Sequence, residues 1–373
     1  MIKWEYNKIN ALHIEPSSLC NAACPGCTRH VNYSPNVNPD LILTSINIEN
    51  FQKWFPLNFT KKIKRWLFCG SQGDPLACPD IYKILEYVCN NSVSRVQLNT
   101  NGGLRNPKFF RKLGNLFKNS VHNHSKIDTY RYIVFSIDGL EDTNHLYRRN
   151  VVWKKLEANL AACAETGANI HWDFLRFKHN NHQIDEARLL AEKYGVSLML
   201  KNPFGVENFA MPVLDKNFEL EYYLEHHEKE LPKMPAGGKF VGKPSPLPKK
   251  SVELKKDECI RCYSFDKLES DPNVAMQELY VSAQGKVYPC CLVGNAANGA
   301  AYKSSVSELH DQYKHLREKN NLHYFSLEQI INHTNSLQMF ASKFDYNPFH
   351  FCYENCKKSQ RRFANLFIDK KHE

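Results

Sequence analysis

The sequence predicts an α/β protein, a partial (β/α)6 TIM-like barrel followed by a small cysteine-rich α+β domain. Strand-like apolar runs alternate with amphipathic helical stretches from residue 11 to residue 200, a pattern typical of repeated βα units around a parallel sheet. A stretch rich in proline and lysine at 232–256 then interrupts this alternation. Six of the 13 cysteines lie beyond the interruption, which indicates a second, smaller unit.

The predicted strands and helices follow one another in the order that a barrel requires. After an alternating segment at 11–16, strands are predicted at 65–69, 94–99, 130–137, 169–177 and 196–200. Helices are predicted between them at 80–90, 107–117, 153–166 and 183–194. About six strands joined by right-handed crossovers fit a partial barrel better than a closed barrel of eight.

The composition is that of a globular protein without a membrane partner. The chain has 373 residues, of which 42% are hydrophobic, and this length suits one large domain and a smaller one. No apolar run approaches the length that spans a bilayer, and the mean hydropathy is −0.52. The formal net charge of +10 favours anionic partners, although charge alone does not distinguish a nucleic acid from a peptide or a nucleotide.

Four regions are expected along the chain. The barrel occupies 1–231, a linker 232–256, the cysteine-rich domain 257–358 and a basic tail 359–373. The linker is expected because it carries five prolines, seven lysines and three glycines with almost no apolar periodicity.

The most informative motif is a loop of three cysteines directly after the first predicted strand. Cys20, Cys24 and Cys27 have the spacing CxxxCxxC. Three thiolates on so short a loop can hold three corners of a [4Fe–4S] cube and leave the fourth iron open. A zinc site with His30 as a fourth ligand is the alternative. A disulfide framework is not expected, because the cysteine count is odd and the first ten residues are too polar for a signal peptide. A reducing, cytoplasmic location is expected.

This cysteine loop resembles the hallmark of the radical S-adenosylmethionine (radical SAM) superfamily, which lies at the end of the first strand of a partial barrel. The resemblance implies that the open iron chelates the amino and carboxylate groups of S-adenosylmethionine. It also implies an external electron donor, such as flavodoxin or ferredoxin, and formation of a 5′-deoxyadenosyl radical.

Three further strand ends resemble loops that line the cofactor site in this superfamily. Gly73, Asp74 and Pro75 are similar to the end of its Gly-Gly-Glu-Pro loop, with Asp in place of Glu. The resemblance implies that the backbone there receives the methionine amino group. It also places Asn101, Ser136 and Asp138 at the pocket, as well as an arginine that meets the methionine carboxylate, assigned to Arg148 with Arg149 as the alternative.

The late cysteines resemble the SPASM and twitch extensions, which bind auxiliary iron–sulfur clusters. A hairpin is predicted at 279–290 and ends at Cys290, because two short alternating strands meet at Gln284-Gly285. Six cysteines suffice for one cube, so the shorter twitch form is favoured. The auxiliary [4Fe–4S] cluster is assigned to Cys262, Cys290, Cys352 and Cys356. Cys259 remains an alternative to Cys262, and Cys291 to Cys290. A structural zinc is the alternative to the cluster at this site.

The resemblance implies a radical enzyme that abstracts hydrogen from an unactivated carbon. The auxiliary cluster would accept the remaining electron, so the expected net reaction is oxidation or cross-linking of a peptide or protein. A dehydrogenase of a small sugar or alcohol is the first alternative. Only 19 residues precede Cys20, so a leader-binding domain ahead of the barrel is less expected. A zinc-stabilised protein that binds nucleic acid through its basic linker and tail is the alternative from a different class.

Overall fold

The computed structural model describes residues 3–119, 131–203, 210–231, 233, 262–265, 275–297, 319–333, 337–338, 352 and 356. The tail at 359–373, Cys259 and all of the linker except Lys233 lie outside these residues. Within the described part of the chain, no helix has both the length and the apolar character that crossing a bilayer requires.

The main sheet contains eight strands, and six of them form the predicted partial barrel. Strands β1 to β6 lie side by side in chain order, and each pairs with the next in parallel. Their bounds are Ala11–Ile14, Arg65–Phe68, Arg95–Thr100, Arg131–Ser136, Ile170–Leu175 and Ser197–Lys201. The α/β class and the six-stranded parallel core predicted from the sequence are confirmed.

The predicted C-terminal hairpin extends the same sheet. Strand β9 (Glu278–Val281) pairs in parallel with β1, and β10 (Val287–Tyr288) pairs antiparallel with β9. Both strands follow the linker in the sequence, yet β9 lies directly beside β1 and β10 lies on the far side of β9. This arrangement brings the hairpin next to the strand that leads into the cysteine loop.

Helices cover the outer face of the sheet, mostly between consecutive strands. In the part of the chain that the structure describes, they are α1 to α9, at Ile48–Trp54, Leu57–Thr60, Ile81–Asn91, Pro107–Asn119, Asn144–Tyr147, Trp153–Ala164, Ile184–Lys193, Cys291–Ala297 and Leu327–Asn332. The four helices predicted in the barrel are α3, α4, α6 and α7, each close to its predicted bounds.

The elements of the barrel region that were not predicted from the sequence include a helix and a hairpin. One is α1, which begins after Asn47, whose side chain accepts a hydrogen bond from Asn50 N at the helix start. The other is an antiparallel hairpin of β7 (Met211–Leu214) and β8 (Leu220–Leu224). Pro212 lies inside β7, and proline argues against a strand in sequence-based reasoning.

The strands place apolar and polar side chains on opposite faces. In β2, β3 and β5, buried residues alternate with partly exposed ones. The buried set packs against the helices, as with Trp66, Leu98 and Trp172, and each such side chain contributes about 2–3 kcal/mol when buried. The other set faces the barrel interior and is largely polar. All six parallel strands end at one edge, where the loops that carry chemistry meet.

Candidate active site

The three-cysteine loop leaves the end of β1 and is held by its own backbone. Cys27 N donates to Cys24 O at 3.1 Å. Two thiols accept backbone hydrogen bonds, from Ala22 N to Cys20 Sγ at 3.3 Å and from Arg29 N to Cys27 Sγ at 3.5 Å. Such donors stabilise thiolates that bind a metal, because they spread the negative charge of the sulfur.

The thiols lie near one another in a buried environment. Cys24 is 7% exposed, and the Cys20 thiol interacts electrostatically with those of Cys24 and Cys27. Burial, as the largest cause, and the neighbouring thiols raise the pKa of Cys20 and of Cys27 to about 12. The raised pKa values favour the neutral thiols, and a bound metal centre would displace their protons.

The donor set of this loop fits an iron–sulfur cluster. The loop carries three thiols and no fourth cysteine, the number that a cube with one open iron requires. The alternative zinc ligand, His30, is buried and its Nδ1 lies 3.2 Å from the backbone oxygen of Cys24. Its ring therefore holds the loop backbone. Within the described ranges, no three His, Cys, Asp or Glu side chains converge tightly enough for a single metal ion.

The loop after β2 packs directly against the cysteine loop. A Cβ on Gly73 would lie 2.0 Å from Ser17 O, so only glycine fits there. Asp74 N donates to Leu19 O at 2.8 Å. The Asp74 carboxylate is buried and accepts from Leu76 N, Thr100 Oγ1 and Asn101 N. Asp74 therefore joins the loops after β2 and β3, and Pro75 begins a short 3-10 helix, Pro75–Ala77.

Asn101, directly after β3, contacts the cysteine loop. Its Nδ2 donates to Asn21 Oδ1 at 2.9 Å and lies 3.5 Å from Cys20 Sγ. Its Oδ1 accepts from Gly103 N at 2.7 Å. The amide thus connects the third strand end to the first cysteine.

Asp138 and Arg148 form a buried pair beside Cys24. Arg148 Nε donates to Asp138 Oδ2 at 2.6 Å, and Arg148 Nη1 lies 3.9 Å from Cys24 Sγ. Asp138 Oδ1 accepts from Leu175 N at 2.7 Å. Both carboxylate oxygens are thus engaged within the protein. Ser136, the last residue of β4, is partly exposed and lies opposite Asp173 of β5.

The neighbouring arginine points elsewhere. Arg149 Nη1 donates to Leu214 O at 2.9 Å, and its Nη2 pairs with Glu221 at 2.7 Å. Both partners belong to the β7–β8 hairpin. Of the two arginines that the sequence left open, the structure places Arg148 next to a cysteine of the loop.

The β7–β8 hairpin, which sequence reasoning missed, covers part of the cysteine loop. Met211 is 2% exposed, and its Cε lies 3.0 Å from the Cβ position of Gly26, between the second and third cysteines. Leu214 N donates to Tyr33 O at 3.2 Å, and Tyr222 donates to Leu146 O at 2.7 Å. The hairpin therefore contacts both the cysteine loop and the segment that carries Arg148.

A polar inner wall lines the barrel below these loops. Lys201 pairs with Asp173 across β5 and β6, and both side chains are 16% exposed. Tyr132 donates to Gln97 Oε1, and Gln97 donates to Asn99 Oδ1 at 2.8 Å. The sequence signals this wall through the alternation of apolar and polar residues in β3 and β5. Alternation does not show which polar side chains pair with one another.

Four late cysteines come together at the C-terminal hairpin. The Cys352 thiol interacts electrostatically with those of Cys262, Cys290 and Cys356, and burial, the largest cause, raises the pKa of Cys290 to about 12. The Cys291 thiol faces a different group, which includes Glu278, Cys69 and Glu15 in addition to the adjacent Cys290. Four thiols from three parts of the chain suit one cube or one tetrahedral zinc.

One cavity of about 360 Å³ reaches the cysteine loop from the side of β1 to β3. Its lining includes Cys20 and Asn21 of the loop, together with Leu76, Leu104 and Arg105. The first of the three cysteines is thus accessible from this cavity.

Comparison with protein-family models gives no match, and neither does comparison with curated proteins. Among solved structures, the chain is similar to anSMEcpe with bound AdoMet, with a TM-score of 0.48 and 14% identity over 90% of this chain and 80% of that chain. It is similar to Streptococcus suis SuiB bound to precursor peptide SuiA, with a TM-score of 0.46 and 14% identity over 77% of this chain. It is also similar to BtrN in complex with AdoMet and 2-DOIA, with a TM-score of 0.40 and 11% identity over 92% and 89% of the two chains.

The chain spans 61% of the length of SuiB. The CxxxCxxC loop leaves the first strand of a partial barrel, and six parallel strands carry the loops that surround it. This loop in this position of this fold is the arrangement that the resemblance to the radical SAM superfamily led us to expect.

Proposed function

We propose that the chain is a radical SAM enzyme whose first [4Fe–4S] cluster is held by Cys20, Cys24 and Cys27. The observation that carries this proposal is the position of the three-cysteine loop at the end of β1, where Asn101 Nδ2 lies 3.5 Å from Cys20 Sγ and Arg148 Nη1 lies 3.9 Å from Cys24 Sγ. When bound, the cluster supplies the electron that cleaves S-adenosylmethionine into methionine and a 5′-deoxyadenosyl radical. The chain's own residues bind and orient the cofactor and exclude water.

The backbone of Gly73, Asp74 and Pro75 is proposed to receive the amino group of S-adenosylmethionine. The absence of a side chain on Gly73 lets this backbone pack against Ser17 and Leu19, which fixes it beside the cysteine loop. Arg148 is proposed to bind the carboxylate, since its guanidinium is charged and lies beside Cys24. Asp138 then positions Arg148.

The remaining predicted residues support the cofactor site in two different ways. Ser136 is proposed to contact the ribose, because it is partly exposed and ends β4 at the same edge of the sheet. Asn101 is proposed to act through the cysteine loop, since its amide is already bonded to Asn21 and close to Cys20.

Cys262, Cys290, Cys352 and Cys356 are proposed to hold an auxiliary [4Fe–4S] cluster. Their mutual electrostatic interactions support this set over one that contains Cys291. Such a cluster would take the electron that remains on a substrate radical, which makes the net reaction an oxidation or a cross-link. An external donor such as flavodoxin or ferredoxin would reduce the first cluster.

The proposed substrate is a peptide or protein, and the first alternative is a small sugar or alcohol. Peptides are bound in solved structures of SuiB and anSMEcpe, and the small molecule 2-DOIA in one of BtrN. The inner wall of Asp173, Lys201 and Gln97 favours a polar group at the reacting end of either substrate, because polar groups that leave water need hydrogen-bond partners.

The test is the iron and sulfide content per chain after anaerobic reconstitution. The wild type is compared with a triple variant, Cys20→Ala, Cys24→Ala and Cys27→Ala. The matched control replaces three buried cysteines outside both sites, Cys78→Ala, Cys89→Ala and Cys163→Ala.

The expected result is about eight irons in the wild type and the control and about four in the triple variant, as two cubes require. If the wild type holds about four irons and the triple variant none, the first cluster is supported. The late cysteines would then bind zinc or no metal. A wild type that binds no iron, or forms no 5′-deoxyadenosine with dithionite, would contradict the proposal.

A further inference from the structure

A buried hydrogen bond connects the C-terminal hairpin to the end of β1. Tyr280, in β9, is fully buried, and its hydroxyl donates to Glu15 Oε2. Glu15 directly follows β1 and is 1% exposed. The contact is possible because β9 pairs with β1 in parallel, with His13 opposite Tyr280 and Ile14 opposite Val281.

The second oxygen of the same carboxylate holds the loop after β2. Glu15 Oε1 accepts from Gln72 N at 2.6 Å and from Gly73 N at 3.0 Å. One buried side chain thus joins β1, the hairpin and the loop that is proposed to receive the amino group of S-adenosylmethionine.

Tyr280 satisfies the oxygen that the loop does not use. A carboxylate without a partner is strongly disfavoured when buried. Burial is the largest influence on Glu15 and raises its pKa, whereas the bonds from Tyr280 and from the backbone of Gln72 and Gly73 lower it. Loss of the Tyr280 hydroxyl would remove this donor from the buried carboxylate, which would shift toward its remaining donors and change its hold on the loop.

We propose that Tyr280 is a positioning residue that holds, through Glu15, the backbone of Gln72 and Gly73 in the geometry that binds S-adenosylmethionine. The C-terminal hairpin, which leads on to Cys290, thereby contributes to the affinity of the cofactor site in the barrel. This inference rests on the proposed function, because it concerns the loop assigned to the cofactor.

The test compares Tyr280→Phe with Tyr288→Phe in anaerobically reconstituted full-length protein. Tyr288 lies opposite Tyr280 in β10 with its ring stacked at 6.2 Å, so the control removes a hydroxyl from the same hairpin. The dissociation constant of S-adenosylmethionine is measured by calorimetry, with iron content and melting temperature recorded for each variant. Tyr280→Phe is expected to weaken binding roughly tenfold, and the control is expected to bind like the wild type.

A second pair of variants tests the Tyr280–Glu15 hydrogen bond by changing Glu15. Glu15→Gln keeps an oxygen for the two backbone N–H groups and gains an amide that donates to the Tyr280 oxygen, so it should bind the cofactor nearly like the wild type. Glu15→Ala removes the anchor and should weaken binding at least as much as Tyr280→Phe.

Equal affinity in Tyr280→Phe and wild type at equal iron content would overturn the inference. So would a fall in melting temperature in both tyrosine variants without a change in affinity, because that result indicates a purely structural role. If Tyr280→Phe loses its iron, the inference is tested by comparing Glu15→Gln with Glu15→Ala. Equal affinities of these two variants for S-adenosylmethionine would overturn it. A wild type that binds no S-adenosylmethionine would instead contradict the proposed function.

Discussion

Arg148 connects Asp138 to Cys24. Its Nε donates to Asp138 Oδ2 at 2.6 Å, while its Nη1 lies 3.9 Å from Cys24 Sγ. Although burial lowers the pKa of Arg148, the Asp138 carboxylate and Cys24 raise it above its usual value, so the guanidinium stays charged. Asp138 is fully buried and Arg148 is 18% exposed on its side chain. The pair therefore fixes one cation beside the cysteine loop.

Asp138→Asn should destabilise the protein by about 2–4 kcal/mol, because it leaves the buried guanidinium without its counterion. Arg148 should also become less well oriented, which predicts weaker binding of S-adenosylmethionine. Urea unfolding and calorimetric titration measure the two effects. The matched control is Glu221→Gln, which breaks the more exposed pair with Arg149 and should change stability by less than about 1 kcal/mol. Equal effects of the two changes would contradict the prediction.

His13 should make the protein less stable in mild acid. It is 6% exposed, its Nε2 donates to Cys69 O at 2.9 Å, and burial, the largest cause, lowers its pKa to about 4. In the unfolded chain the pKa of His13 is near 6.5, so the unfolded state binds a proton more readily than the folded state. The free energy of unfolding is therefore highest above about pH 6.5 and falls between pH 6.5 and 4. Between pH 7.5 and 5 the loss should be about 2 kcal/mol.

Urea unfolding of wild type and His13→Gln at both pH values measures this effect. Glutamine can still donate to Cys69 O but does not titrate, so this part of the pH dependence should disappear. An unchanged dependence in the variant would assign it to other groups.

Cys352→Ala and Cys291→Ala should differ in iron content. Cys352 interacts with the other three proposed ligands of the auxiliary cluster, whereas Cys291 also faces Cys69 and Glu15. After anaerobic reconstitution, Cys352→Ala should lose up to about four irons per chain and Cys291→Ala none. Loss of iron in Cys291→Ala with retention in Cys352→Ala would exchange the two assignments. Zinc in place of iron would identify the competing occupant.

Met211→Ala should expose the first cluster to oxygen. The side chain is buried against Gly26 of the cysteine loop, and its truncation should cost about 2–5 kcal/mol and open a path to the loop. The absorbance of the first cluster should therefore decay several-fold faster in air. The measurement uses Cys352→Ala as the background, so that only the first cluster contributes. Leu220→Ala, at a position that is 44% exposed on the same hairpin, is the control and should decay at the parental rate.

The sequence alone determined the elements with strong local signals. Strand β3 and helices α3 and α4 follow from alternation of period two and amphipathic spacing of period 3.6, which the chain shows without any long-range contact. The cysteine loop could also be recognised from the sequence, because its three cysteines lie within eight residues. The hairpin that ends at Cys290 could also be predicted from the sequence, because its two strands are joined by a short local turn.

Only the tertiary structure decided which distant groups meet. Arg148 lies beside the cysteine loop, whereas Leu214 and Glu221 of the β7–β8 hairpin bind Arg149. The pairing of β9 with β1, and hence the contact of Tyr280 with Glu15, joins residues 265 positions apart. Local spacing predicts such elements but not their partners, because the partners of a strand or a charged side chain are set by packing and by the need to pair buried polar groups.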